Sequence, residues 1–310
     1  MADIVISEFM DEAAIATLSE RFHTHYDPGL VDRPADLLAQ MAAAKALIVR
    51  NRTQVTGAVL GAAPGLQCVG RLGVGLDNID LAECEARAIA VYPAAGANNI
   101  SVAEYVVTAI LVLLRRAWFA SAEVAAGAWP RQDLIGREAA GRVLGLVGFG
   151  AIARETALRA AALRMDIIAF DPFLQDDDPA WSHARRVEFD ELLAASDAVS
   201  LHVPLTGQTR HLINGAALAR MRSDAVLINA ARGGVVDEPA LAEALRNGRL
   251  AGAALDVFES EPLPAQSGAV FAGLGNVILT PHIAGVTEES NVRASAMTAA
   301  NILRHLEGSA

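Results

Sequence analysis

The chain has 310 residues, of which 53% are hydrophobic and 20% charged, and a formal net charge of −11. That length accommodates two compact domains with a core each, and that composition excludes general disorder. The surplus of acid excludes a nucleic acid or an anionic membrane as a bulk partner, because nothing neutralises phosphates.

The N-terminus, Asp3-Ile4-Val5-Ile6 followed by Glu8, has neither the basic region nor the long apolar run of a signal peptide. Strands are expected at 3–7, 46–50, 68–72 and 90–92, with helical segments between them, for instance 11–21 and 81–87. Alternating βα units imply a parallel sheet covered by helices. The two cysteines, Cys68 and Cys84, form no CxxC pattern and no disulfide framework, which fits reduced thiols in the cytoplasm. A long helix follows, with Ser101-Val102-Ala103-Glu104 spaced as a capping box at its start and Gly127 and Pro130 ending the pattern. Its apolar stretch, 105–114, is too short to span a bilayer. A second βα series places strands at 142–147, 167–170, 198–202, 226–229, 253–257 and 277–279, and a final amphipathic helix covers 288–306. His23 and His25 have no third ligand near them in sequence, and Asp176-Asp177-Asp178 lacks the spacing and glycine of a calcium loop, so no metal site is expected.

The turn opening the second series is Gly148-Phe149-Gly150-Ala151-Ile152-Ala153, between a strand and a helix. This is the GxGxxA variant of the dinucleotide fingerprint. Gly148 allows the tight turn, Gly150 lets the backbone approach a pyrophosphate, and a small third residue lets helix pack on strand. Asp171 ends the next strand, 21 residues after Gly150. A carboxylate there accepts ribose hydroxyls and repels a 2′-phosphate, which favours NAD over NADP.

Three later segments sit where such sheets place their chemistry: NAARGGVVDE with Arg232, ALDVFESEP with Glu261, and TPHIAG with His282. Hydride transfer at C2 of a hydroxy acid needs a cation for the C1 carboxylate and a base for the hydroxyl proton. Arginine's planar fork suits the first and histidine the second. A glutamate beside the histidine orients the ring. Each of these residues has an ordinary alternative as a loop or turn residue; their joint occurrence after the fingerprint favours the functional reading.

Together these motifs resemble the D-isomer-specific 2-hydroxyacid dehydrogenases, a family that includes phosphoglycerate dehydrogenases, over essentially the whole chain. The resemblance implies two doubly wound α/β domains. A flavodoxin-like substrate domain would be discontinuous, 1–98 with 284–310, and a Rossmann domain over 99–283 would bind NAD. It implies that Arg232 binds substrate, that His282 is the acid/base, and that Glu261 is its partner, with Glu259 a nearby decoy. It implies cofactor contacts at Ala151, Ile152, Asp171, Ala230, Ala231, Arg232, Asp256, His282, Ala284 and Gly285, with Asp256 on the nicotinamide carboxamide. His202-Val203-Pro204 would lie beneath the cofactor. The long helix would be the element of a homodimer, and no regulatory extension is expected after the last helix.

For the acid itself, the amides of Val74 and Gly75 are candidates for the carboxylate, and Asn98 resembles a substrate-side residue of phosphoglycerate dehydrogenases. Arg50-Asn51-Arg52 ends a strand, where a period of two would aim both guanidiniums one way. Such a pair suits a dianion such as 3-phosphoglycerate or sulfolactate; the plain alternative is two solvated arginines. From another class, the family also resembles NAD-sensing corepressors, so an NAD-binding regulatory module without turnover is the alternative function.

Overall fold

The computed structural model describes residues 2–117 and 120–308. The chain separates into two compact units, Met1–Asn98 with Val286–Ala310, and Asn99–Gly285. The sequence reading returned the chain to the first unit at 284. In the structure Ala284 and Gly285 remain with the second, where Asp256 accepts the Ala284 amide at 2.7 Å.

The first unit alternates β1 (Ile4–Ile6), α1 (Glu12–Ser19), β2 (Thr24–Tyr26), α2 (Pro34–Met41), β3 (Ala46–Val49), α3 (Gly57–Gly61), β4 (Cys68–Arg71), α4 (Leu81–Ala86) and β5 (Ala90–Pro93). All strand pairs are parallel, in the order β2-β1-β3-β4-β5, which is the flavodoxin-like arrangement. Alternation along the strands divides the core. Val5, Leu47, Val49 and Val69 pack with α2, α3 and α4. Ile4, Ile6, Ile48 and Cys68 pack on the other face with α1 and the closing helix, which supplies Ala299, Ile302 and Leu306.

The second unit contains α5 (Asn99–Arg115), α6 (Ser121–Ala125), β6 (Val143–Val147), α7 (Ala151–Ala162), β7 (Asp166–Phe170), β8 (Arg185–Arg186), α8 (Phe189–Ala195), β9 (Ala198–Leu201), α9 (Gly215–Arg220), β10 (Val226–Asn229), α10 (Glu238–Arg246), β11 (Gly252–Leu255), α11 (Ala265–Gly268) and β12 (Val277–Leu279); the closing helix, α12, is Glu288–Gly308. Its seven-stranded sheet runs β12-β11-β10-β9-β6-β7-β8, again all parallel. Leu144, Leu146, Val226 and Ile228 face α5 and α7. Val147, Val199, Leu201 and Leu227 face α8, α9 and α10. Both faces are covered, which is why these strands read as continuous apolar runs. Each leucine so buried contributes about 1.5–3 kcal/mol.

The predicted long helix differs from the observed one at both ends. It starts at Asn99, so Ser101 lies inside the first turn and is buried in packing, not placed as a cap. It stops at Arg115, where Arg116 turns left-handed (φ +54°) and the Arg137 amide caps the Leu114 carbonyl at 2.8 Å. α6 is a separate short helix, closed by Gly127 at φ +90°. Among the described residues no helix is long and apolar enough to cross a membrane.

Candidate active site

In the second sheet the chain runs outward from β6 through β7 to β8, then crosses back to β9 and continues the other way. The glycine-rich turn after β6 therefore sits at the topological switch point, where open α/β sheets bind their ligands. Gly148 has φ +86°, and a Cβ there would lie 2.7 Å from the His202 carbonyl oxygen. A Cβ on Gly150 would meet nothing within 4 Å, so the space in front of α7 is open to a ligand. Ala153 is fully buried, leaving no room for a larger third residue. Ala151 and Ile152 form the first turn of α7, where free amides favour an anion.

Asp171 is locked against this turn. Its Oδ2 accepts the Phe149 amide and its Oδ1 the Phe173 amide, both at 2.9 Å, and each oxygen retains acceptor capacity. At the end of β9 the His202 ring lies 3.0 Å from the Ser200 hydroxyl. Burial lowers its pKa to about 4, so the ring is neutral at pH 7. Val203 and Pro204 follow it into the loop. A dinucleotide thus fits this turn: the open cradle at Gly150 and a fixed carboxylate at Asp171 are the groups it needs.

Arg232, Glu261 and His282 come from the ends of β10, β11 and β12, neighbours in the sheet. After β10, Asn229 braces the turn, accepting the Ala231 amide at 3.1 Å and donating to the Arg232 carbonyl at 3.0 Å. Ala230 and Ala231 are partly exposed, and Arg232 Nη1 donates to the Ala231 carbonyl at 2.6 Å. Gly233 lets this turn lie directly on the next, because a Cβ there would sit 1.7 Å from the Phe258 carbonyl oxygen.

On that second turn Glu261 Oε1 accepts the Phe258 amide at 3.0 Å, while Oε2 lies 2.6 Å from His282 Nδ1. Burial pushes the Glu261 carboxyl up, but the His282 and Phe258 hydrogen bonds and the His282 and Arg232 charges outweigh it, holding the group below its ordinary value. An ionised Glu261 can only accept, so His282 carries a proton on Nδ1, and Nε2 is the ring nitrogen left free of Glu261. Glu259 turns elsewhere, to His211 Nε2 at 2.5 Å and Arg210 at 3.5 Å. Its amide is held by buried Glu238 at 2.7 Å.

Asp256, expected on the nicotinamide carboxamide, is engaged within its own chain. It is 1% exposed, and its oxygens accept the Thr280 hydroxyl at 2.6 Å and the Ile283 and Ala284 amides at 2.8 and 2.7 Å. This carboxylate braces the turn that carries His282, Ala284 and Gly285, because a buried anion takes the nearest donors its own chain offers. Thr280 also contacts the Tyr105 hydroxyl of α5 at 2.6 Å. Sequence reading assigned no role to Thr280, Tyr105 or Asn229. The one available signal was a tyrosine at the head of the helix's apolar stretch, 105–114, since a buried phenol seeks a partner.

In the first unit, Val74 is exposed and Gly75 half-buried in the loop after β4. Asn98 keeps a buried Oδ1 that no group among the described residues satisfies. Arg50 and Arg52 do not share a direction, which corrects the strand-end expectation. β3 ends at Val49, and the carboxylate of buried Glu8 gathers the amides of Arg50, Arg52 and Thr53 at 2.8, 3.2 and 2.9 Å. That curls the segment out of the extended form on which a period of two depends. Arg50 reaches Asn291 on α12 at 2.7 Å, whereas Arg52 pairs with Asp32 beside α2, on the opposite face of the sheet. Asn51 is exposed between them. Glu8 was not anticipated as the organiser of this loop.

Over residues 107–284 the chain matches the family model described as D-isomer specific 2-hydroxyacid dehydrogenase, NAD binding domain. It is 55% identical, over 99% of both chains, to a (S)-sulfolactate dehydrogenase of Chromohalobacter salexigens. It is 38% identical to a D-3-phosphoglycerate dehydrogenase of Methanocaldococcus jannaschii over 99% of its own length, but spans only 58% of that protein. The solved structure of a D-lactate dehydrogenase of Aquifex aeolicus complexed with NAD and lactic acid is similar at a TM-score of 0.85 and 27% identity, covering 98% of this chain and 95% of that one.

Proposed function

The chain belongs to the D-isomer-specific 2-hydroxyacid dehydrogenase family, and from that premise we propose that it oxidises (S)-sulfolactate to 3-sulfopyruvate with NAD. The class follows from the family: an NAD-dependent oxidoreductase moving a hydride between nicotinamide and C2 of a small 2-hydroxy or 2-oxo acid. The substrate rests on the 55% identity over nearly the full length of both chains. The label S agrees with a D-specific family. In sulfolactate the sulfur-bearing carbon outranks the carboxylate, so the spatial arrangement called D in lactate and 3-phosphoglycerate takes the label S.

The contact that carries the mechanism is the 2.6 Å bond between His282 Nδ1 and Glu261. NAD, when bound, supplies the hydride acceptor; Gly148, Gly150, Ala151, Ile152, Asp171, His202, Val203, Pro204, Ala230 and Ala231 are assigned to it. Arg232 holds the C1 carboxylate with its planar fork. His282 Nε2 accepts the hydroxyl proton as the hydride leaves C2, and Glu261 stabilises the imidazolium that forms. In reduction the same ring returns the proton to the 2-oxo oxygen. The amides of Val74 and Gly75, with Asn98, are assigned to the acid, as is Arg50. Arg52 is left out of this group because it turns to Asp32, away from the direction Arg50 takes. We further assign a cytoplasmic homodimer formed through α5; buried, unpaired Cys68 and Cys84 suit a reducing compartment.

An NADH assay at 340 nm over both sulfolactate enantiomers, 3-phosphoglycerate, glyoxylate and both lactates, with NAD and NADP compared, tests this reading. The expected result is turnover highest with (S)-sulfolactate and NAD. Preference for 3-phosphoglycerate or lactate would replace the substrate while leaving the class. Silence with every acid, NAD still bound, would favour the regulatory module instead.

A further inference from the structure

Asp256 is a carboxylate almost wholly removed from solvent, so its acceptor sites are filled from within the chain. Oδ1 takes the Thr280 hydroxyl and the Ile283 amide, and Oδ2 the Ala284 amide. Burial raises the Asp256 carboxyl above its ordinary value while the Thr280, Ala284 and Ile283 hydrogen bonds favour the anion; as an anion it only accepts, which commits the Thr280 proton to Asp256. The 2.6 Å contact between Thr280 and Tyr105 therefore runs from the phenol O–H to the threonine oxygen. A hydrogen-bond chain with one proton order thus passes from α5 through the start of the turn after β12 to the end of β11.

His282 lies inside this chain, between Thr280 and the Ile283 and Ala284 amides. Its own amide donates to the Asp256 carbonyl at 2.8 Å and the Thr280 carbonyl at 3.0 Å. It is held at φ +56°, a left-handed conformation that a histidine keeps only where its surroundings over-determine it. The residues on both sides of the strained position are bound by one carboxylate, and that carboxylate is tied to a helix by a hydroxyl bridge.

We propose that Tyr105 and Thr280 are positioning residues for His282: with Asp256 they hold the turn so that Nδ1 meets Glu261 and Nε2 faces the acid. The inference rests on the reading of His282 as the base. Burial raises the Tyr105 phenol to about 12, so the donor at the head of the chain stays protonated through the working range. Neither residue reaches the reacting atoms, so their effect travels through the aim of one ring.

Tyr105→Phe and Thr280→Val, each with Thr280→Ser as the conservative comparison, test the idea on the full chain. The readouts are kcat, KM for sulfolactate, the Kd for NADH by fluorescence, and the imidazole 15N shifts of His282, assigned with His282→Asn. Tyr105→Phe keeps the ring in its core and tests the bridge even where Thr280→Val folds poorly. The expected result is a fall in kcat on the order of 10- to 100-fold in Tyr105→Phe and Thr280→Val, with NADH affinity within about twofold and a shift from one His282 tautomer toward a mixture. Thr280→Ser should recover both kcat and the shifts. Unchanged kcat and unchanged 15N shifts in Tyr105→Phe would overturn the proposal, as would a Thr280→Ser variant no better than Thr280→Val. A wild type without turnover on any acid would instead sink the assigned chemistry; the 15N shifts would still decide whether Tyr105 and Thr280 aim the ring.

Discussion

Two glutamates two residues apart meet different histidines. Glu261 faces His282 at 2.6 Å and Glu259 faces His211 at 2.5 Å. What separates them is their surroundings: Glu261 meets the His282 turn and the Arg232 charge, whereas Glu259 lies with His211 and Arg210. Replacing Glu261 by Gln presents an amide NH₂ to at least one of two donors, His282 Nδ1–H and the Phe258 amide, which frees the ring to take the wrong tautomer. kcat should fall on the order of a hundredfold, with NADH affinity kept; a kcat near wild type would remove the pair from the mechanism. The sign of the pH dependence is set by the same contacts. The fold holds Glu261 below its ordinary value of 4.5, so its stabilising contribution is complete above that value. The contribution is lost as pH falls through the lower folded value. The Tm of the wild type should therefore drop more steeply than that of Glu261→Gln below pH 4.5. Parallel curves would show that the carboxylate carries no such linkage.

Among the elements, the turns after β10 and β11 act as one body because Gly233 allows backbone to lie on backbone. A methyl at that position has nowhere to go but into the Phe258 carbonyl. Gly233→Ala should separate the Arg232 turn from the Glu261 turn, at a cost of about 1–3 kcal/mol for overpacking. That would lower Tm by several degrees and kcat with it. Calorimetry and steady-state kinetics check this together, and a variant with both values unchanged would mean that the two turns tolerate separation. The loop after β3 illustrates the same dependence on a local organiser. Glu8 bends residues 50–53 around its carboxylate, and two arginines that look paired in sequence end on opposite faces of the sheet.

In the whole molecule, the first unit is completed by a helix that follows the second in sequence. Ile302 of α12 is fully buried against β4 and its neighbours. Ile302→Ala should cost about 2–5 kcal/mol of the first unit's stability. Affinity for NAD should survive, because the glycine turn and Asp171 belong to the second unit. Differential scanning calorimetry with and without NAD, alongside NADH fluorescence, separates the two effects. Equal loss of NAD affinity and stability would contradict this division of labour.

By itself the sequence determined the two βα series, the dinucleotide turn and the trio of Arg232, Glu261 and His282. These are legible because they rest on short-range rules: apolar runs where a sheet is covered on both faces, glycines where a turn demands them, and strand ends where such sheets keep their chemistry. Only the tertiary structure decided which way side chains beyond the strand ends turn. Asp256 binds its own chain at Thr280, Ile283 and Ala284, Arg50 and Arg52 diverge around Glu8, and Ser101 is buried where a cap was expected. Each outcome depends on a partner distant in sequence, Tyr105 and Thr280 being 175 residues apart. A buried carboxylate takes whichever donors the fold brings to it, and spacing along the chain carries no record of which those are.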